Sequence, residues 1–242
     1  MKYYNYDLLK GNPLELSSEN GPHLTYIWGY NSAYPIAETK NSTTAECGYA
    51  GFENQEAPGW ESFNSWSFND DIENVKTGKY SAKVVGGGPS KYFDVKTKAA
   101  NHSGYKASVW VKGGTDAYLH IQVNDDYALS KNIHNPDNPA GDWNLLEVEL
   151  PHVLYENSIN ASMKIKVYCG SSSKAYFDDL RFYPMDAQMT TYTYEPLIGI
   201  TSASDANNKP TYYNYDPFNR LSYVKDHQGN ILKKYDYHYK TP

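Results

Sequence analysis

Cysteine is nearly absent from this chain: Cys47 and Cys169 are the two thiols in 242 residues. They leave two readings open, a pair of buried free thiols or one disulfide pinning together the ends of the segment between them. No apolar run approaches the about 18 residues that a membrane-crossing helix needs. There is no Lys/Arg run and the formal net charge is −6, which argues against nucleic acid as a partner. Gly-x-Ser-x-Gly, the phosphate-binding Gly-rich loop, His-Glu-x-x-His and Cys-x-x-Cys are all missing. The many Asp and Glu residues fall mostly in turn-like stretches, so the expectation is a protein without catalytic activity. Met1 runs within two residues into a Tyr-rich phrase with no apolar leader, as expected of a cytoplasmic chain or a piece of a longer polypeptide. Methionine (four) and phenylalanine (seven) are scarce, whereas tyrosine reaches 25. Tyrosine suits a half-wet pleated surface, because its ring packs while its hydroxyl stays hydrated.

The tyrosines are organised. Tyr4-Asn5-Tyr6-Asp7 near the start returns as Tyr213-Asn214-Tyr215-Asp216 near the end. Tyr6 and Tyr26 are 20 residues apart, and Tyr194, Tyr215 and Tyr237 follow at steps of 21 and 22. A fixed period of this size marks a stacked repeat. The intervening turns carry Gly11-Asn12 after Asp7, Asn219 after Asp216 and Gly229-Asn230 after Asp226. Gly, and less readily Asn, accept the positive φ that a hairpin turn requires, and Asp caps its own turn.

Tyr215-Asp216-Pro217-Phe218-Asn219-Arg220-Leu221 resembles the Tyr-Asp-x-x-Gly-Arg-Leu repeat of the Rhs/YD-repeat family, with Asn219 in the Gly place. Tyr6-Asp7 followed by Gly11-Asn12-Pro13-Leu14 is a looser match. Tyr26-Ile27-Trp28-Gly29-Tyr30 and Tyr34-Pro35-Ile36-Ala37 are similar to segments of such proteins from Bacteroidetes-type bacteria. The resemblance covers about residues 1–40 and 190–242. It implies a β-ribbon that belongs to a larger secreted or cell-surface bacterial polypeptide. The few hairpins here are too few to close a shell, so open strand edges are expected.

Between about Cys47 and Tyr183 the period changes. Tyr105, Ala107, Val109 and Val111 alternate with Lys106, Ser108, Trp110 and Lys112. Leu119, Ile121 and Val123 alternate with Tyr118, His120 and Gln122, and Met163, Ile165 and Val167 with Lys164, Lys166 and Tyr168. One apolar face at period two predicts antiparallel strands, and about eight or nine of them predict a β-sandwich. The fold class expected is therefore all-β: an antiparallel jelly-roll sandwich over residues 46–184, inserted into a hairpin array formed by residues 1–45 and 185–242. The segment 124–142, rich in Asn, Asp and Pro, is expected to be a long loop.

Gly51-Phe52-Glu53, Gly78-Lys79-Tyr80-Ser81-Ala82-Lys83-Val84, Ala107-Ser108-Val109-Trp110-Val111-Lys112, Gly141-Asp142-Trp143 and Tyr176-Phe177-Asp178-Asp179-Leu180 occur in order. Together they resemble carbohydrate-binding modules of galactose-binding-like type. That resemblance implies a structural calcium held by Glu53 and Asp178, with carbonyls near Lys79. Asp178 shares parity with Tyr176, Leu180 and Phe182, which read as core, and an inward carboxylate must bind metal or accept backbone amides. Trp110 stands on the polar parity of its strand. If the next strand pairs with it in simple register, Tyr118, His120 and Gln122 share its face. A ring flanked by amide and imidazole groups can cover the apolar side of a sugar and bind its hydroxyls. The alternative is that Trp110 packs under a loop. Trp60, Trp66 and Tyr127 either rim that face or lid the core. The expected function is non-catalytic binding of a glycan or another surface ligand. The rival is a purely structural decoration that binds nothing.

Overall fold

The computed structural model describes residues 2–19, 21–57, 59–61, 65–95, 102–135, 141–156 and 161–238. The chain opens with a four-strand meander: β1 (Lys2–Tyr6), β2 (Pro13–Ser17), β3 (His23–Gly29) and β4 (Tyr34–Lys40). It then leaves that sheet. β5 (Gly48–Ala50), β6 (Trp66–Asn69), β7 (Ser81–Val84), β8 (Ser90–Val95), β9 (Gly104–Gly113), β10 (Tyr118–Val123), β11 (Asp126–His134), β12 (Asn144–Pro151), β13 (Ala161–Tyr168) and β14 (Ala175–Pro184) follow. The chain returns through β15 (Gln188–Glu195), β16 (Gly199–Ser204), β17 (Pro210–Tyr215), β18 (Leu221–Lys225) and β19 (Ile231–Lys234). β15 pairs antiparallel with β4, Gln188 opposite Lys40 and Thr191 opposite Ala37. The two flanks are thereby one open nine-stranded sheet, β1-β2-β3-β4-β15-β16-β17-β18-β19.

The last three hairpins of the returning half repeat one turn. At Asp205, Asp216 and Asp226 the carboxylate accepts from the amides two and four residues on, at 2.8–3.0 Å. The residue three on, Asn208, Asn219 or Gly229, takes positive φ of 60°, 60° and 87°. That is why Asn or Gly stands there and a β-branched residue does not. Arg220 also donates from Nε and Nη2 to Asp216, at 2.8 and 2.6 Å.

The central strands form a jelly-roll sandwich. A four-stranded sheet, β11-β10-β13-β8, packs on a six-stranded one, β12-β9-β14-β7-β6, with β5 beside β14. Alternation decides the inside. Val109, Val111, Leu119, Ile121, Met163, Ile165, Val167, Phe177, Leu180 and Phe182 are fully buried in one cluster. Each such side chain stabilises by about 1.5–3 kcal/mol relative to exposure. The expected loop at 124–142 is in part a strand: β11 pairs with β10, His134 opposite Tyr118. Its polar sequence carries no period-two signal, as befits the edge of a sheet with a solvated face. Both cysteines are free and buried.

β14 departs from the expected parity. Asp179 takes φ of 51°, and the register against β9 shifts between Asp178 and Arg181. This bulge turns Phe177, Leu180 and Phe182 inward and leaves Asp178 and Arg181 on the other face. That face is covered by the nine-stranded sheet. Arg181 is completely buried. Its Nη1 donates to the carbonyls of Asp205 and Met189 at 2.8 and 3.5 Å, and its Nη2 to Thr191 Oγ1 at 2.7 Å. Around it Tyr212 donates to Lys76 O (3.0 Å), Asn208 to Glu147 (3.2 Å), and the amides of Tyr30 and Asn31 to Glu56 (2.8 and 3.0 Å). Lys79 and Glu195 form an ion pair across the same junction.

Arg181→Leu removes charged donors and leaves buried carbonyls unsatisfied. The expected loss is about 2–4 kcal/mol of unfolding free energy, read as a lowered urea midpoint. An unchanged midpoint would show that Arg181 does not secure the two layers.

Candidate ligand-binding site

The polar face of the four-stranded sheet is built in rungs. In the first, His134 (β11), Tyr118 (β10) and Tyr168 (β13) lie directly opposite one another. Their rings form a continuous ladder: Tyr118 and Tyr168 stack at 5.0 Å and 24°, and His134 is 5.2 Å from Tyr118. In the second, His120 faces Lys166, which faces Ser90 of β8. In the third, Gln122 faces Lys164, which faces Tyr92. Lys164 Nζ donates to the Tyr92 hydroxyl at 2.7 Å, and Lys166 Nζ lies 4.8 Å from the Tyr168 ring centroid. Burial, then the charges of Lys166 and Lys164, lower the pKa of His120 from 6.5 and favour its neutral imidazole.

Beside the second rung is a groove of about 300 Å³, lined by Ser65, Gly86, Gly87, Gly88, Ser90, Lys164, Lys166 and Tyr168. Glycine is required in its wall. A Cβ on Gly88 would stand 2.1 Å from the Val167 carbonyl oxygen, and Gly86 takes φ of 67°. The wall is therefore bare backbone that a ligand can approach closely.

The expected shared face of Trp110 with Tyr118, His120 and Gln122 is not formed. β9 and β10 do not pair; they belong to opposite sheets of the sandwich. Simple hairpin register failed because the chain crosses from sheet to sheet between them. Tyr118 and His120 stand half-buried on the rung face, and Gln122 is buried there. Trp110 lies on the far side, opposite Asp178 and Leu145. Lys76 Nζ covers its ring at 4.1 Å, so it packs under a loop. Trp60 and Trp66 pack on the core, against Phe93 and against Phe52 and Phe68. The side chain of Tyr127 lies outside the described residues.

Glu53 and Asp178, the residues expected to hold calcium, lie with Asp179 in a buried carboxylate cluster. Lys79 and Tyr80 amides donate to Glu53 at 2.8–3.0 Å. Lys76 and Thr77 amides donate to Asp178 Oδ2 at 2.9 and 3.0 Å, and the Asp179 amide to Oδ1 at 2.8 Å. Tyr49 and Thr77 hydroxyls reach Asp179. Burial, and then the Asp179 charge, push Glu53 from 4.5 up to about 8. Burial and the same charge raise Asp178 well above the carboxylate range. In charge and donor type the cluster suits a hard divalent cation. Its oxygens at present face N–H and O–H donors, and among the described residues no group of three or more His, Cys, Asp or Glu side chains is set to hold a metal.

No family model matches the chain, and no curated protein does. Among solved structures it is similar to TmCBM61, determined with β-1,4-galactotriose, at 13% identity and a TM-score of 0.39, over 55% of this chain and 94% of that one. It is similar to the CBM22-1 xylan-binding domain of Paenibacillus barcinonensis Xyn10C at 14% identity and 0.37, over 56% and 92%. A third is the K1 cleaved adhesin domain of Lys-gingipain from Porphyromonas gingivalis, at 12% and 0.34, over 57% and 98%.

Sequence reasoning did not single out Tyr92, His134, Lys164, Lys166 or Tyr168 as site residues. Their outward parity is visible in the alternation of 161–168, but nothing local shows that β13 is the strand beside β10. The same holds for Arg181, whose parity is set by the bulge.

The carboxylate cluster fixes a pH dependence. A raised folded pKa contributes stability that is present below the ordinary value and lost as pH rises through the folded one. The metal-free protein should therefore melt at rising temperature as pH falls from about 8 to about 4.5. Glu53→Gln should flatten that slope in a melting series; an unchanged slope would deny Glu53 the role.

Proposed function

We propose that the central sandwich is a non-catalytic glycan-binding module and that the rung face of its four-stranded sheet is the binding surface. The observation that carries this is the ladder His134–Tyr118–Tyr168 with its polar rungs alongside. A row of rings stacked on one another presents its edges and hydroxyls to a sugar at little entropic cost. Half-buried His120, Lys164 and Lys166, with Ser90, offer hydroxyl partners within a residue's reach. An exposed platform buries only part of a flexible sugar, so affinity is modest.

Several parts of this reading extend further. The recurring Asp turns and the open edges of the nine-stranded sheet support its being a section of a longer YD-repeat ribbon in a secreted or surface-borne polypeptide. The charge of Glu53, Asp178 and Asp179 supports a structural calcium, which when bound supplies the positive charge this buried cluster lacks. The structural rival draws support from the junction around Arg181, since a module braced so firmly also stiffens the ribbon.

Tyr168→Ala should weaken glycan binding at least about tenfold, or about 1.4 kcal/mol, with the melting temperature nearly unchanged. Trp110→Ala should do the reverse, costing about 2 kcal/mol of stability and leaving affinity intact. Calorimetric titration and melting of both variants check this; loss of binding in Trp110→Ala alone would move the site to the other sheet.

For calcium, the wild-type melting temperature should rise on addition of the ion by mass action, and Asp178→Ala should abolish the rise. No response to calcium or chelator would leave the cluster as a purely amide-bonded one.

A further inference from the structure

The rung face carries a charge that a neutral sugar does not use. Lys164 and Lys166 are two residues apart on the same side of β13, on adjacent rungs. Both are half-buried. Like charges side by side on one face repel, and burial raises the cost of Lys166, while Lys164 is held charged by the Tyr92 hydroxyl. Among the described residues neither forms an ion pair; the lysine and arginine pairs lie at Lys79–Glu195, Arg220–Asp216 and Lys234–Asp236. The acids near the face stand at its rim, where the charges of Asp125 and Glu61 act on Lys164 after the Tyr92 hydroxyl. Asp125 accepts from the Tyr92 hydroxyl and Glu61 from Ser90 Oγ, at 3.2 Å each; Asp94 is exposed opposite Ser162. Lys166, between His120 and Ser90, is the more secluded cation and lines the groove together with Lys164 and Tyr168. This positive groove sits on a chain of net charge −6, so it is a local feature and no consequence of a basic protein.

We propose that the groove takes an anionic sugar, with a uronate carboxylate or a sulfate ester seated between Lys166 and Lys164 while the adjoining ring lies against the edges of Tyr168 and Tyr118. This inference rests on the glycan-binding reading above and narrows its ligand class. A charge-assisted contact at a half-buried ammonium is about twice as strong as a neutral hydrogen bond. The bare Gly86–Gly88 wall leaves room for a substituent that a side chain would block.

The test is calorimetric titration of the full chain with three oligosaccharides of equal length: an oligogalacturonide, a neutral galacto-oligosaccharide and a sulfated galacto-oligosaccharide. At least one acidic ligand should bind about tenfold or more tighter than the neutral one, and whichever does so more names the anionic group. That preference should shrink as salt rises to about 0.5 M. Lys166→Met should bring the acidic-to-neutral ratio toward one, Lys166→Arg should keep it, and Tyr168→Ala should weaken all binding, which separates a built site from diffuse attraction to a polyanion. Equal affinity for neutral and acidic ligands, or a preference that Lys166→Met with Lys164→Met leaves unmoved, overturns the anionic assignment while the glycan-binding reading stands. Binding of none of the three overturns both.

Discussion

One buried guanidinium ties the molecule together. Arg181 sits on a strand that serves two layers: β14 turns Phe177, Leu180 and Phe182 into the sandwich core and Arg181 toward the nine-stranded sheet. A strand can face two ways only if every second side chain suits a different neighbour, and the bulge at Asp179 sets which residues those are. Guanidinium is suited to the task, because its planar donors reach carbonyls and a hydroxyl on two different elements while its charge stays bonded. The oxygens it meets come from β15 and from the turn before β17. The groups that receive it follow 8, 10 and 24 residues on in the chain.

The two outer faces of the sandwich differ because of this docking. The outer face of the six-stranded sheet is taken up by the junction, so Trp110 on it is closed over by Lys76 and by a segment that Tyr212 of β17 holds. The four-stranded sheet keeps its outer face polar and half-exposed, with rings in one rung and amines in the next. The free polar face therefore lies on the side away from the hairpin array.

The carboxylate cluster lies between these regions. Tyr49, which reaches Asp179, belongs to the apolar cluster of the junction, together with Tyr30, Tyr183 and Tyr194. The charges of Asp179 and Asp178 also hold the Tyr212 hydroxyl above its ordinary pKa, after burial itself. Through Lys76, whose carbonyl accepts from Tyr212 and whose amide donates to Asp178, the cluster touches both the loop over Trp110 and the nine-stranded sheet.

Period and turn chemistry are local, and they determined what is local. Alternation at 105–112, 119–123 and 163–167 named the inward residues, because side chains on a strand alternate by geometry alone. The Asp turns at 216 and 226 were legible because positive φ admits few residues. The carboxylates Glu53 and Asp178 were legible as buried groups needing partners, but the core parity expected of Asp178 was not, because the bulge turns it to the other face. What remained was pairing. Whether β10 lies beside β9 or beside β13 is decided by how two apolar faces close over one core, and no residue in either strand encodes its neighbour by itself. That choice moved Trp110 away from Tyr118 and His120 and brought Lys164, Lys166 and Tyr168 to them. The parity of Arg181 depended likewise on a one-residue bulge, which flips every following side chain to the other face. Tertiary packing alone decided both, because the free energy that selects them is apolar burial and hydrogen bonding summed over strands distant in the chain.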